Sequence, residues 1–267
     1  MDDSFGSPPY VPRTAASDRQ TPGGSVDRAL AVLRHMAGAH EASASEIAEV
    51  AGTSRSTAYR IADRLTAWGF LQPSEEPGRW MVGPEAVRLG LSIITRSKIA
   101  RIAPDLIRIL MELTGETSGL AIPMNDKMVF LHRELGPTPS PASTRIGTTR
   151  PMHCTAVGKA WLSALTGTKL DEALAGQKLT RHTAATITDP VRLRHELEEA
   201  RHRGWAIDSG ELSPSIGSCG APILDASGLP VAAVSIWGPM ARVMSHRDQL
   251  GMLVSSTAAA VSRRLQA

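Results

Sequence analysis

Two cysteines in a chain of 267 residues cannot build a disulfide framework. Cys154 and Cys219 suit a reducing interior instead, and the expected compartment is the cytoplasm. No apolar run reaches the roughly 18 residues that a membrane-crossing helix needs. The acidic, proline-bearing start does not have the build of a signal peptide. No membrane contact is expected. An excess of either charge is lacking as well: the formal net charge is only +3, which argues against a coat for nucleic acid and fits a site-selective dimer better. The histidines, among them His182, His195, His202 and His246, are scattered without metal-ligand spacing. No metal or cofactor is expected.

What is present is a globular composition, 42% hydrophobic, long enough for two domains at about 100–200 residues each. Residues 1–24 are rich in Pro, Ser, Gly and Asp and read as a disordered tail. Ser25 is placed to cap the first helix, with Val26, Ala29, Leu30, Leu33, Met36 and Ala37 along one face.

The stretch 43–70 organises the rest. Ser43 with Glu46 three residues on is a capping box. Ile47, Val50 and Ala51 then form an apolar stripe, and Gly52 can end that helix in a left-handed turn. Thr53 or Ser54 can cap a second helix whose inward stripe is Ala58, Ile61, Ala62 and Leu65. Its start and outer face carry Ser54, Arg55, Ser56, Thr57, Tyr59, Arg60 and Arg64. Short hydroxyls and arginines are the side chains that phosphates and base edges take. Two short helices about a glycine turn are the shape that lays a helix in the DNA major groove; an ordinary helical hairpin with a solvated arginine face fits the same residues. Gly69-Phe70-Leu71 and Arg79-Trp80-Met81-Val82 flank a polar tip and read as a hairpin, or wing. The tip is acidic at Glu75 and Glu76, so Arg79 is the phosphate candidate there. Over 25–82, Arg28, Arg34, Arg55, Arg60, Arg64 and Arg79 face Asp27, Glu41, Glu46, Glu49, Asp63, Glu75 and Glu76. The positive charge is concentrated in the second helix rather than spread over the domain.

Residues 25–95 resemble the N-terminal domain of the IclR family of bacterial transcription regulators. The resemblance rests on the opening helix from Ser25, the helix-turn-helix from Ser45 to Leu71, and Arg79 to Gly90, which ends the wing and starts a linker helix. It continues to about residue 265. Together with the residues it implies an α+β chain: a winged helix-turn-helix over 25–83, a linker and dimerisation helix over 84–99, and a GAF-like effector domain with an antiparallel sheet over 100–267. Pro84 suits the first position of the linker helix, where Val87, Leu91 and Ile94 share a stripe with Leu89 and Ile93 beside it and Arg88, Arg96 and Lys98 as its cations. A helix apolar on more than one side is expected to meet a second chain, giving a homodimer or a dimer of dimers.

From residue 117 the period changes to two. Strands are expected over 117–126 and 127–135, turning at Asn125-Asp126, and over 205–208, 219–225 and 230–237. Helices are expected over 102–113, 155–166, 168–175, 189–203 and 246–265. Runs of strands with runs of helices argue for an antiparallel sheet. The segment 150–165 resembles the family block that forms one wall of the effector pocket. There the helix start at Thr155, Ala156 and Val157 is a seat for a carboxylate, or a tight helix start chosen for packing. Asp208 and Glu211 match an acidic pair of the family, and Ser218, Cys219 and Ser235 are expected to face inward. Two departures stand out: Ser218 occupies a position where the family commonly has cysteine, and Trp237 one where it often has serine. Strand alternation puts Trp237 on the side of Ser235, which favours an inward position, where it makes the cavity smaller or stacks a planar ligand, over one at an interface or the surface. Met124, Arg145 and Met152 are further candidates for the lining. The resemblance implies a small organic acid or an aromatic catabolite as effector and palindromic double-stranded operator DNA as partner.

Other readings are weaker. Gly158-Lys159 lacks the earlier glycine and the Ser or Thr of a phosphate loop, since His153 and Ala160 stand there. His153, Cys154 and Asp208 suggest a cysteine–histidine–carboxylate set, but neighbours on an extended chain point apart; no catalytic residue is expected. A metal- or redox-responsive regulator using His153, Cys154 and Cys219, or a ligand-binding module without selective DNA binding, are the alternatives.

Overall fold

The computed structural model describes residues 23–138 and 145–267, leaving out the side chains of Ile93, Ile94 and Arg96. The tail expected over 1–24 lies outside the described residues up to position 22, as do the contributions expected of those three side chains. The chain divides into two compact units, with the boundary between Ser97 and Lys98.

The first unit runs α1 (Ser25–Met36), β1 (Glu41–Ser43), α2 (Ala44–Val50), α3 (Arg55–Ala67), β2 (Leu71–Pro73), β3 (Arg79–Val82) and α4 (Pro84–Arg96). The capping box forms: Ser43 Oγ accepts from the Glu46 amide, and Glu46 Oε2 accepts from the Ser43 amide at 2.7 Å. Gly52 takes a left-handed φ of 58° and lets the chain turn into α3, and Ser54 rather than Thr53 is the N-cap. Val32, Met36, Ile47, Ala58, Ala62, Leu65, Leu71 and Trp80 form the core. The strands make a three-stranded antiparallel sheet in the order β1-β3-β2. β1 was not expected, because three residues are too few to show alternation.

Two expectations for α1 are corrected. Gly24, not Ser25, is the N-cap, with Asp27 accepting from the Gly24 amide. Val26 and Leu30 are 68% and 58% exposed. Apolar residues surround this helix, so burying the face with Val32 and Met36 leaves the face with Val26 and Leu30 in solvent.

The second unit runs α5 (Lys98–Thr114), β4 (Thr117–Met124), β5 (Lys127–Glu134), β6 (Thr149–Pro151), α6 (Ala156–Ser163), α7 (Gly167–Ala175), α8 (Pro190–Arg203), β7 (Ala206–Ser209), β8 (Ile216–Leu224), β9 (Pro230–Pro239), α9 (Met240–Ser245) and α10 (Arg247–Gln266). Its strands form one antiparallel six-stranded sheet, ordered β6-β5-β4-β9-β8-β7. Asn125, at φ 56°, carries the expected β4–β5 turn. Alternation divides the side chains between two cores. Ala232, Val234 and Ile236 join Cys219, Ala221 and Ile223 with residues of α5 and α10. Ala233 and Trp237 face the other way, with residues of α6, α7 and α8. No helix among the described residues is long and apolar enough to cross a membrane.

Candidate DNA-reading helix and effector cavity

The outer face of α3 is built as the sequence suggests. Ser54 Oγ accepts from the Thr57 amide, which fixes the first turn. Arg55, Ser56, Tyr59, Arg60 and Arg64 are exposed, while Thr57 is half-buried beside Ser54. Tyr59 stands edge-on to Trp80 of the wing, with ring centroids 5.5 Å apart. Among the described residues no ion pair holds Arg55, Arg60 or Arg64. Arg79 is different. Its guanidinium lies 2.6 Å from Glu41, 3.5 Å from Glu46 and 3.6 Å from Glu76. Arg79, the expected phosphate candidate, is thus engaged by carboxylates and ties the base of the wing to α2 and β1.

In the second unit, Thr155, Ala156, Val157, Asp208, Ser218, Ser235 and Trp237 line one cleft of about 500 Å³, counting the space open at its mouth. Close backbone approach makes it possible. A Cβ on Gly220 would lie 2.7 Å from the Ala156 carbonyl, and one on Gly158 would lie 2.3 Å from Met152 Cα, so glycine at both positions lets the α6 start press onto β8 and onto the preceding turn. Thr155 caps α6 by accepting from the Gly158 amide. Trp237 packs edge-to-face on Phe130, centroids 5.4 Å apart at 71°, which makes an aromatic wall.

Four expected lining residues lie elsewhere. Met124, at the exposed end of β4, is 46% exposed. Met152 is fully buried in the core between sheet and α6. Cys219 follows Ser218 on β8 and must point to the opposite face, into the core with α5 and α10. Arg145 sits exposed in a turn; the cation of the wall is Arg150. Phe130, Arg150, Leu212, Ser213 and Ile216 were missed. Alternation along β8 places Ile216 with Ser218, but Arg150 and Phe130 come from β6 and β5, whose pairing no local pattern reveals.

Beneath the cleft lies a buried charge cluster. Lys159 is 1% exposed and bonded to the Glu211 carboxylate, with Glu196 at 3.4 Å. This engagement explains why Gly158-Lys159 is no phosphate loop. Asp208 Oδ1 accepts from the Glu211 amide at 2.7 Å. Burial pushes the Asp208 carboxyl up to about 7, with nearby Glu211 adding to the rise. Burial also raises Glu211, against the pull of Lys159. The turn at 152–155 corrects another expectation: it is not extended, so His153 and Cys154 come near each other, and His182 rather than Cys219 joins them.

Comparison with known proteins agrees with this architecture. The IclR helix-turn-helix domain profile matches residues 25–75, and the profile of the bacterial transcriptional regulator IclR C-terminal domain matches 91–263. The chain is similar to the HTH-type transcriptional regulator BhcR of Paracoccus denitrificans (strain Pd 1222), with 34% identity over 84% of this chain and 80% of that one. It is similar to the transcriptional repressor IclR of Escherichia coli (strain K12), with 31% identity over 89% and 88% of the two chains. The crystal structure of Thermotoga maritima IclR superposes with a TM-score of 0.77 at 31% identity, covering 91% of this chain and 99% of that one. The chain belongs to the IclR family of bacterial transcriptional regulators.

Proposed function

We propose that this protein is a cytoplasmic regulator, not an enzyme, that binds a specific operator duplex through α3 and is controlled by a small anionic or aromatic effector in the cleft of its second unit. The observation that carries the DNA half is the contrast between arginines. Arg55, Arg60 and Arg64 stand exposed on α3 without an acidic partner among the described residues, while Arg79 beside them is neutralised by three carboxylates. Exposed guanidinium groups at the start and outer face of a capped helix suit phosphates and guanine edges.

The cleft supports the effector half. The α6 start and Arg150 favour a carboxylate, and the Trp237–Phe130 wall favours a flat apolar body. Regulation then follows as a population shift: an effector that binds one of two states more tightly moves the protein toward that state, and operator affinity with it. Exposed Val87, Leu89 and Leu91 on α4 support a homodimer, the form that reads a palindrome.

The test is a duplex selected by the protein from a random library, titrated with and without ligands found by thermal shift among small carboxylates and aromatic acids. A ligand at 100 times its Kd adds about 2.7 kcal/mol of stability. Salt-sensitive, sequence-selective binding altered by such a ligand is expected; equal affinity for all duplexes contradicts the reading.

A further inference from the structure

The turn before α6 and the segment between α7 and α8 bring together a donor set that does not line the cleft. One ligand atom from each of His153, Cys154 and His182 lies within 4.8 Å of the others. His153 is 1% exposed, and its Nε2 is 3.0 Å from the Thr180 carbonyl. A carbonyl oxygen only accepts, so Nε2 carries the hydrogen and Nδ1 presents a lone pair. That Nδ1 is buried without a hydrogen-bond partner. A histidine with one nitrogen donating to a backbone carbonyl and the other presenting an unpartnered lone pair has the pairing that metal-ligating histidines have.

We propose that His153, Cys154 and His182 bind one zinc(II) ion, with exposed His182 closing the set from the solvent side. A thiolate and two imidazoles suit zinc and not magnesium or calcium, and three protein ligands leave the fourth tetrahedral position to water. Zinc–nitrogen bonds of about 2.1 Å and a zinc–sulfur bond of about 2.3 Å place donors about 3.5 Å apart. The set therefore contracts by about an ångström on binding. His182 supplies that movement: it is exposed and lies in the segment without helix or strand between α7 and α8. The step is Zn²⁺ plus Cys154–SH giving zinc-bound thiolate, with the proton released to water.

The experiment uses tag-free, full-length protein freed of metal, titrated with Zn²⁺ alone and with Co²⁺ as a spectroscopic substitute. The expected result is one zinc per chain with one proton released, and a thiolate-to-cobalt charge-transfer band. His182→Ala, at an exposed position, is expected to leave the metal-free melting temperature unchanged and to weaken zinc binding about tenfold or more. Cys154→Ser is expected to abolish the charge-transfer band. No uptake at micromolar zinc, or uptake unchanged in His182→Ala, overturns the proposal, and the second comparison stands even where Cys154→Ser fails to fold.

Discussion

The Lys159 ammonium rests on the Glu211 carboxylate, the two side chains only 1% and 6% exposed, within the helix whose start lines the cleft of the second unit. A buried pair of this kind is a poor source of net stability but a costly one to break, because the survivor is left charged without a partner. Lys159→Met is expected to cost about 3–5 kcal/mol in denaturant unfolding. The double variant Lys159→Met/Glu211→Leu is expected to recover much of that loss. A double variant no better than the single one would show that the pair sets the local structure and does not merely neutralise itself.

Gly158 should be intolerant of any side chain. A Cβ there meets the Met152 backbone at 2.3 Å, and backbone cannot rotate away as a side chain can. Gly158→Ala is expected to lower stability by about 1–3 kcal/mol or more and to weaken effector binding through displacement of Thr155. Thermal melts and ligand titration read the two effects separately. An unperturbed melt contradicts the close packing of α6 on this turn.

Asp208 makes a pH prediction whose sign is fixed by its raised pKa. The folded carboxyl holds its proton up to about 7, against an ordinary value of 3.8. Its contribution to stability is therefore complete below the unfolded value and is lost as pH rises through about 7. Asp208→Asn should remove this contribution between about pH 4 and about pH 7, leaving the one of the same sign that raised Glu211 supplies. An anionic effector should also bind more weakly above about pH 7, where Asp208 becomes a like charge in the cleft wall. Affinity for a carboxylate that is flat with pH in the native protein removes Asp208 from the binding surface.

The sequence carried most of the local structure and only part of the cleft. The Ser43–Glu46 capping box, Gly52, Asn125-Asp126 and the alternation in β9 are signals read within a few residues, and the elements they mark formed where expected. Trp237 beside Ser235 was legible for the same reason. Arg150 and Phe130 were not, since their place depends on pairing between β5 and β6 across a long connection. The error at Cys219 came from setting family resemblance above alternation: Ser218 and Cys219 are consecutive on one strand and cannot both face the ligand. His182 joined His153 only through tertiary folding, 29 positions away by their numbering.

The central claim is that α3 reads DNA, and Arg60 tests it most directly. With the selected duplex and fluorescence anisotropy at several salt concentrations, Arg60→Ala is expected to lose about tenfold or more in affinity, equivalent to about 1–3 kcal/mol for a base contact. A phosphate contact would instead lower the salt slope by about one. The melting temperature should stay unchanged, because the side chain is exposed. Arg60→Ala and Arg55→Ala both binding the duplex with native affinity and native salt slope would contradict the assignment of α3 as the reading helix.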